Sequence, residues 1–195
     1  HYDHCDRATL KSLPNKNTIR VFVPSVMGPL LRGWGFTDIS EMPWHLSITT
    51  RSITVTCVPA VHHSRRGLFD YNRMLWGGFV ISGSEKRIYM AGDTAYGAIF
   101  TQMGRQYGPC DIGLVPIGGY GAGNHLRSVH ATPEDACQIG RDMQCAQLLG
   151  MHWGALGITS EPPLEPRTRF HAAGLAAGYT ADTLLTPDLG STITL

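Results

Sequence analysis

The sequence predicts one α/β domain that keeps its chemistry on loops, and three observations carry the prediction. Apolar runs of strand length crowd the first half of the 195 residues and alternate with helical segments in the second. Glycine occurs 23 times and proline 12 times, enough turn-formers to separate many short elements. Nine histidines accompany them, several standing just past the end of an expected strand, where open α/β sheets gather ligands. With no internal repeat, low-complexity tract or linker, residues 1–195 read as a single domain.

Bulk composition excludes several classes. Sixteen basic and fifteen acidic residues leave a net charge of +1, which gives no electrostatic footprint for nucleic acid. The hydrophobic fraction is 43% and mean hydropathy is near zero, an ordinary globular balance. No apolar run approaches the ~20 residues of a membrane span, and no leader pattern opens the sequence. Cys5, Cys57, Cys110, Cys137 and Cys145 are odd in number and form no CxxC pair. That argues against a disulfide framework and a thiolate zinc cluster, and favours a reducing compartment. A cytoplasmic protein with at most peripheral membrane contact is expected, with its oligomeric state left open.

Taken in order, residues 7–13 suit a short helix stopped by Pro14-Asn15, and 18–23 (TIRVFV) a buried strand closed by Pro24. Residues 26–35 are short and helical, 39–43 extended. Two strands follow at 46–50 and 52–58, the second running into Pro59-Ala60-Val61-His62-His63. Residues 75–82 and 86–91 form a hairpin around Gly83-Ser84-Glu85, and its second strand delivers Gly92-Asp93-Thr94. A helix over 98–107, a strand over 111–116 and a glycine-rich loop over 117–132 come next. The best-marked helix starts at Thr132, with Pro133 in the first turn and Asp135 completing a capping-box pattern, and runs to about Met143. A strand over 146–151 ends at His152-Trp153-Gly154. Residues 166–177 are helical, and 183–195 supply one or two last strands.

The chemistry gathers at four places. His1, Asp3 and His4 put two imidazoles and a carboxylate on one tight turn, a donor set that suits zinc, iron or manganese better than calcium or magnesium. His62, Asp93 and His152 each stand beyond the end of a separate strand. Taken singly, each has a plainer reading: a surface histidine, a turn aspartate, a histidine-rich terminus. Four such places on converging strand ends point to one metal site. The run Gly118-Gly119-Tyr120-Gly121-Ala122-Gly123 lacks a P-loop lysine and reads as a substrate-side loop.

These motifs resemble a known family. HYDHCD (1–6) resembles the latter part of the HxHxDHxD signature of the metallo-β-lactamase fold, and AGDT (91–94) and HWG (152–154) its downstream metal motifs. More narrowly, PAVHHSRRGLFDYNRMLWGGFVI (59–81), AGDTAYG, PIGGYG, VHATPEDA (129–136) and MHWG resemble the N-acyl-phosphatidylethanolamine-hydrolysing phospholipase D family and its bacterial relatives, in order, from His1 to about Leu164. The resemblance implies an αββα sandwich holding two zinc ions, with manganese or iron as substitutes. It assigns His1 and His62 to one ion, Asp3, His4 and His152 to the other, and Asp93 to both. It places a further histidine two positions ahead of His1, and the strands that open the fold ahead of that, so N-terminal strands are expected to be missing from this chain.

The implied chemistry is hydrolysis by a water activated between two metals, with Asp3 orienting it. His130, at a family position near the substrate, is the candidate donor to the leaving group; its alternative is a structural role at the start of the helix beginning at Thr132. Asp6 is expected to hydrogen-bond a ligand imidazole. Arg65 and Arg66 are candidates for an anionic head group, or else a solvated loop. His45, His63, His125 and His171 carry no motif, and Trp34, Trp44, Trp76 and Trp153 read as core. Three functions compete: a phosphodiesterase of phospholipase D type on N-acylated phospholipids; a lactonase or phosphoesterase on a small soluble anion, of the ascorbate-phosphate lactonase type; and a catalytically silent metal-binding partial domain.

Overall fold

The computed structural model describes residues 1–121, 124–155, 157, 159–188 and 190–194. In chain order the elements are α1 (Arg7–Ser12), β1 (Arg20–Pro24), α2 (Gly28–Arg32), β2 (Asp38–Met42), β3 (Ser47–Thr50), β4 (Ile53–Val58), β5 (Gly78–Ser82), β6 (Arg87–Met90), α3 (Ile99–Tyr107), β7 (Cys110–Pro116), α4 (Asn124–Arg127), α5 (Pro133–Asp142), β8 (Cys145–Met151), α6 (Glu165–Ala176) and β9 (Leu184–Leu185). Strands β3 to β9 lie side by side in sequence order as one seven-stranded sheet, and β1 and β2 pair in parallel as a second. Within the large sheet β3 to β6 are antiparallel. From β6 onward the pairing is parallel, because each later connection carries a helix across the sheet.

Alternation along the strands sorts the chain into four layers. One face of the large sheet is covered by α3, α5 and α6, and the core between them takes Tyr89, Phe100, Ile139, Leu148 and Phe170, all fully buried. The opposite face meets the small sheet, where Phe22 packs with Met42, Val55, Cys57 and Phe79. Val21 and Val23, one residue to either side of Phe22, turn outward onto Leu31, Trp34 and Phe36 of the α1 and α2 layer. The αββα order expected from the family resemblance is therefore the order of layers found.

Several boundaries differ from expectation for identifiable reasons. Residues 75–77 do not start β5; Trp76 Nε1 donates to the Ala60 carbonyl at 2.9 Å, and Trp44 Nε1 donates to the Trp76 carbonyl at 2.6 Å. A Cβ on Gly77 would collide with the Val58 carbonyl, and pairing begins only at Gly78. The helix expected over 26–35 shrinks to α2, and Thr18 belongs to a 3-10 turn ahead of β1. The glycine-rich stretch contains α4, while Ala122 and Gly123 lie outside the described residues. In the tail the two-residue β9 is the strand found among the described residues; Leu189 and Leu195 lie outside them. The start of α5 is as read: Thr132 Oγ1 accepts the Asp135 N–H at 3.2 Å, and Asp135 Oδ2 accepts the Thr132 N–H at 3.1 Å.

Candidate metal centre

The strand ends and the opening turn converge. Asp93 follows β6 through Gly92, whose φ of +66° suits glycine and turns the chain off the sheet. Thr94 is fully buried and fastens this corner. Its hydroxyl accepts the Val61 N–H at 2.9 Å, and its carbonyl accepts the Ala131 N–H at 2.7 Å. The segments carrying His62, Asp93 and His130 are thereby tied to one point. His152, just past β8, takes the left-handed conformation at φ +60°, which costs of order 1–3 kcal/mol for a residue with a side chain. Gly118 makes room for it, since a Cβ there would collide with the His152 carbonyl.

Two groups of ligand atoms form around Asp93. Asp3, His4, Asp93 and His152 make one, and His1, His62 and Asp93 the other, with the atoms of each group within 4.8 Å of one another. His4 Nε2 lies 3.0 Å from Asp93 Oδ2, and His152 Nε2 lies 3.4 Å from Asp93 Oδ1 and 3.5 Å from Asp3 Oδ2. His62 Nε2 approaches Asp93 Oδ2 at 3.8 Å and His1 Nδ1 at 3.3 Å. The far nitrogens of two imidazoles are held by main-chain carbonyls: His62 Nδ1 by Val129 at 2.7 Å and His152 Nδ1 by Gly118 at 3.3 Å. With Nδ1 protonated to serve those carbonyls, each Nε2 lone pair faces the cluster, as metal ligation requires.

Electrostatics agree with a cation site. The Asp93 side chain is only 6% exposed and its Oδ1 has no hydrogen-bond partner. Burial works to raise the Asp93 pKa, but the bond from His4 and the nearby imidazoles outweigh it and hold it at about 2. Burial drops His62 to about 4, so it is a neutral ligand at ordinary pH. His4 is raised, first by its bond to Asp93. A buried carboxylate with an orphaned oxygen, ringed by imidazole nitrogens, is a donor set that divalent cations complete, and these residues fit the metals expected for them.

All six expected ligands (His1, Asp3, His4, His62, Asp93 and His152) thus meet, and His130 stands with them. Its ring is 5.1 Å from that of His62 and 5.6 Å from that of His152; its buried Nδ1 has no partner, and burial lowers its pKa. It lines a cavity of about 590 Å³ together with His1, Asp3, Asp93, Gly119 and His152. Arg65 and Arg66 do not line that cavity; they line the neighbouring one of about 610 Å³, with His1, His4, His62 and Asp93. Arg66 Nη1 donates to the His1 carbonyl at 3.1 Å and its guanidinium lies 4.2 Å over the Tyr2 ring; Arg65 Nε donates to the Gly67 carbonyl.

Asp6 is a correction. It touches no imidazole; exposed at the start of α1, its Oδ2 accepts the Thr9 N–H at 2.6 Å, because a carboxylate preceding a helix finds unpaired N–H groups nearer than any ring. Two residues at the site were not foreseen. His63 packs on His62 and His1 at 4.8 and 4.9 Å between ring centres, and only its place beside His62 hinted at this. Glu161 accepts the Gly119 N–H at 2.6 Å and the Gly121 N–H at 3.0 Å, pinning the glycine loop beside His130 and His152, and nothing in its sequence neighbourhood marked it. His45 and His171 have local partners, Tyr107 at 2.6 Å and Thr186 at 2.8 Å; the side chain of His125 lies outside the described residues.

Comparison with known proteins agrees with this geometry. Residues 1–153 match the β-lactamase superfamily domain model. The chain is 32% identical to N-acyl-phosphatidylethanolamine-hydrolyzing phospholipase D 1 of Caenorhabditis elegans over 97% of its own length and 57% of that protein. It is 28% identical to the mitochondrial N-acyl-phosphatidylethanolamine-hydrolyzing phospholipase D of Saccharomyces cerevisiae over 98% and 42%. It therefore spans about half the length of these relatives. The solved structure of Igni18, a metallo hydrolase of Ignicoccus hospitalis, superposes with a TM-score of 0.74 at 21% identity, covering 99% of this chain and 75% of that one. Two groups of potential ligands sharing one aspartate at the strand ends of an αββα sandwich, and a family match over most of the length, lead to one conclusion: the chain belongs to the β-lactamase superfamily and has the metallo-β-lactamase fold.

Proposed function

We propose that the protein is a binuclear zinc phosphodiesterase of phospholipase D type, acting on N-acylated phospholipids or related lipids. The observation that carries the reading is Asp93, whose buried carboxylate belongs to both ligand groups, 3.0 Å from His4 and 3.4 Å from His152 in one and 3.8 Å from His62 in the other. The names of the 32% and 28% identical relatives support the lipid substrate. In this reading His1, His62 and Asp93 hold one ion, and Asp3, His4, His152 and Asp93 the other, with manganese or iron able to substitute for zinc. Two divalent ions supply Lewis acidity and bring the pKa of a bound water toward neutrality.

The chain's own groups do the rest. Asp3 borders the cavity within 3.5 Å of His4 and His152, placed to orient the attacking water and take its proton. His130, kept neutral by burial, serves as a hydrogen-bond donor to charge building on the leaving side rather than as a free imidazolium. Glu161 keeps the Gly119–Gly121 backbone against these rings, so the cavity wall is fixed before substrate arrives. One water and one phosphodiester give a phosphomonoester lipid and the head-group alcohol. The proposed substrate lies in a bilayer, and in this reading contact with lipid is peripheral; no helix among the described residues is long and apolar enough to cross a membrane.

Metal analysis with vesicle assays tests the reading. Two equivalents of zinc per chain and release of the N-acylated alcohol from vesicles are expected. Opening of a sugar-phosphate lactone without head-group release would favour the soluble-anion alternative, and one metal or none would favour a silent domain.

A further inference from the structure

Among the described residues the two most exposed large apolar side chains are neighbours: Phe69 at 87% and Leu68 at 78%. Tyr71, two positions on, is 59% exposed. All three sit on the connection between β4 and β5, at the tip of a closed clip. Its neck is made by Ser64 and Asn72: Asn72 N donates to the Ser64 carbonyl at 2.8 Å, Ser64 N to Asn72 Oδ1 at 3.1 Å, and Ser64 Oγ to the Met74 carbonyl at 2.5 Å. The Asp70 carboxylate ties the tip from inside, accepting the Arg66 N–H at 3.0 Å and the Gly67 N–H at 2.7 Å. The turn is thus fixed with Leu68 and Phe69 exposed at its tip. A loop bound this firmly had the means to bury them and does not.

Charge says what would cover them. Residues 64–74 carry Arg65, Arg66 and Arg73 against Asp70 alone, whose oxygens are occupied by backbone N–H groups. Arg66 also joins the clip to the metal centre through the Tyr2 ring and the His1 carbonyl, and Tyr71 lies 5.4 Å from the His63 ring. Tyr2, 61% exposed, continues the apolar tip toward the cavity that holds His130. Apolar side chains at a tip, with guanidinium groups behind them, match the layering of an anionic bilayer: acyl carbon inside, phosphate outside.

We propose that residues 64–74 form a membrane-docking wedge, in which Leu68, Phe69 and Tyr71 enter the headgroup layer of an anionic bilayer while Arg65 and Arg73 meet lipid phosphates. The wedge presents the metal cavity to the membrane; it rests on the lipid-hydrolase reading for its purpose, while docking itself is read from the loop.

The test is pelleting of the full chain with phosphatidylcholine vesicles, with and without phosphatidylserine. The L68S/F69S variant is expected to bind at least about tenfold less than the parent, and R73E about tenfold less to the anionic vesicles alone. F69W, which keeps an interfacial aromatic, is expected to bind as well as the parent. No vesicle binding by the parent, equal binding by L68S/F69S, or F69W failing as fully as L68S/F69S overturns the wedge. So does self-association of the parent that L68S/F69S relieves while vesicle binding stays unchanged. Hydrolysis of the soluble diester bis(p-nitrophenyl) phosphate by the zinc-loaded chain reads the active site separately, and L68S/F69S leaves it unchanged. A parent that docks but cannot cleave that diester sinks the phosphodiesterase reading and leaves the wedge standing.

Discussion

The two faces of the seven-stranded sheet are finished differently. On one, α3, α5 and α6 close over a continuous core whose aromatic and aliphatic side chains are all but invisible to solvent. On the other, two short strands and two short helices leave two small clusters and a cavity of about 610 Å³ between the sheets, lined by Phe22, Phe79, Ile81 and Met90. The metal centre straddles this divide. His62, Asp93 and His152 come from the ends of the well-packed sheet, while His1, Asp3 and His4 come from an opening turn on the thin side. The lesson is a division of labour: one half supplies a rigid platform, and the other supplies ligands that the site itself helps to hold.

The largest effect should come from the residue common to both groups. If the proposed assignment holds, D93A is expected to lose both metals and all measurable hydrolysis, with little change in secondary structure, since Asp93 is common to both groups of potential ligands and is not part of the apolar core. H62A, reaching one group only, should keep about one metal equivalent. Metal analysis with circular dichroism separates these outcomes, and a D93A chain retaining two metals would break the shared-aspartate reading.

Next in size is the contrast between cores. Phe170, on the buried face of α6, is fully buried, so F170A should cost about 3–5 kcal/mol in chemical denaturation. Phe22 is partly exposed and already borders a cavity; F22A should cost about 2 kcal/mol or less. Overpacking should invert the order of tolerance. V115F forces a ring into a site with no exposed surface and is expected to destabilise by about 1–3 kcal/mol, whereas I81F faces the inter-sheet cavity and should be near neutral. Equal penalties in the two halves would mean that the thin side is as tightly packed as the thick one.

What could be read from the sequence follows the same line. Asp93 and His152 were legible because each follows a clean apolar strand, and a ligand type just past a strand end is a physical pattern. The Thr132 start of α5 was legible because hydroxyl, proline and carboxylate each do one local job there. Asp6 was misread although its own neighbourhood held the answer: an aspartate directly before a predicted helix is a cap before it is anything else. Residues 75–77 were misread because Leu75 and Trp76 are strand-like letters, while the conformation of this stretch is set by indole bonds to residues far along the chain. Glu161 was invisible for a related reason. It works on main-chain N–H groups some forty positions earlier, and main-chain partners leave no mark in the side-chain alphabet.

The smallest predicted effect compares the two helix starts. In α5 the Thr132 hydroxyl caps a helix that buries Ala136, Cys137, Ile139 and Gly140, so T132A should lower global stability by about 1 kcal/mol. In α1 the Asp6 cap serves a helix with no buried residues. Removing it should leave the global unfolding midpoint in place and instead speed amide exchange over Arg7–Ser12, because that helix can open without disturbing either sheet. The Asp6 cap also responds to pH. Asp6 is held below the usual carboxylate range, chiefly by the Thr9 N–H bond. Its contribution is complete above the unfolded carboxylate pKa and is lost as pH falls through the lower folded value. Acidification through that lower value should therefore speed exchange in α1. Exchange that quickens in both helices together would show that the thin side unfolds only with the platform, and that the two halves are one cooperative unit.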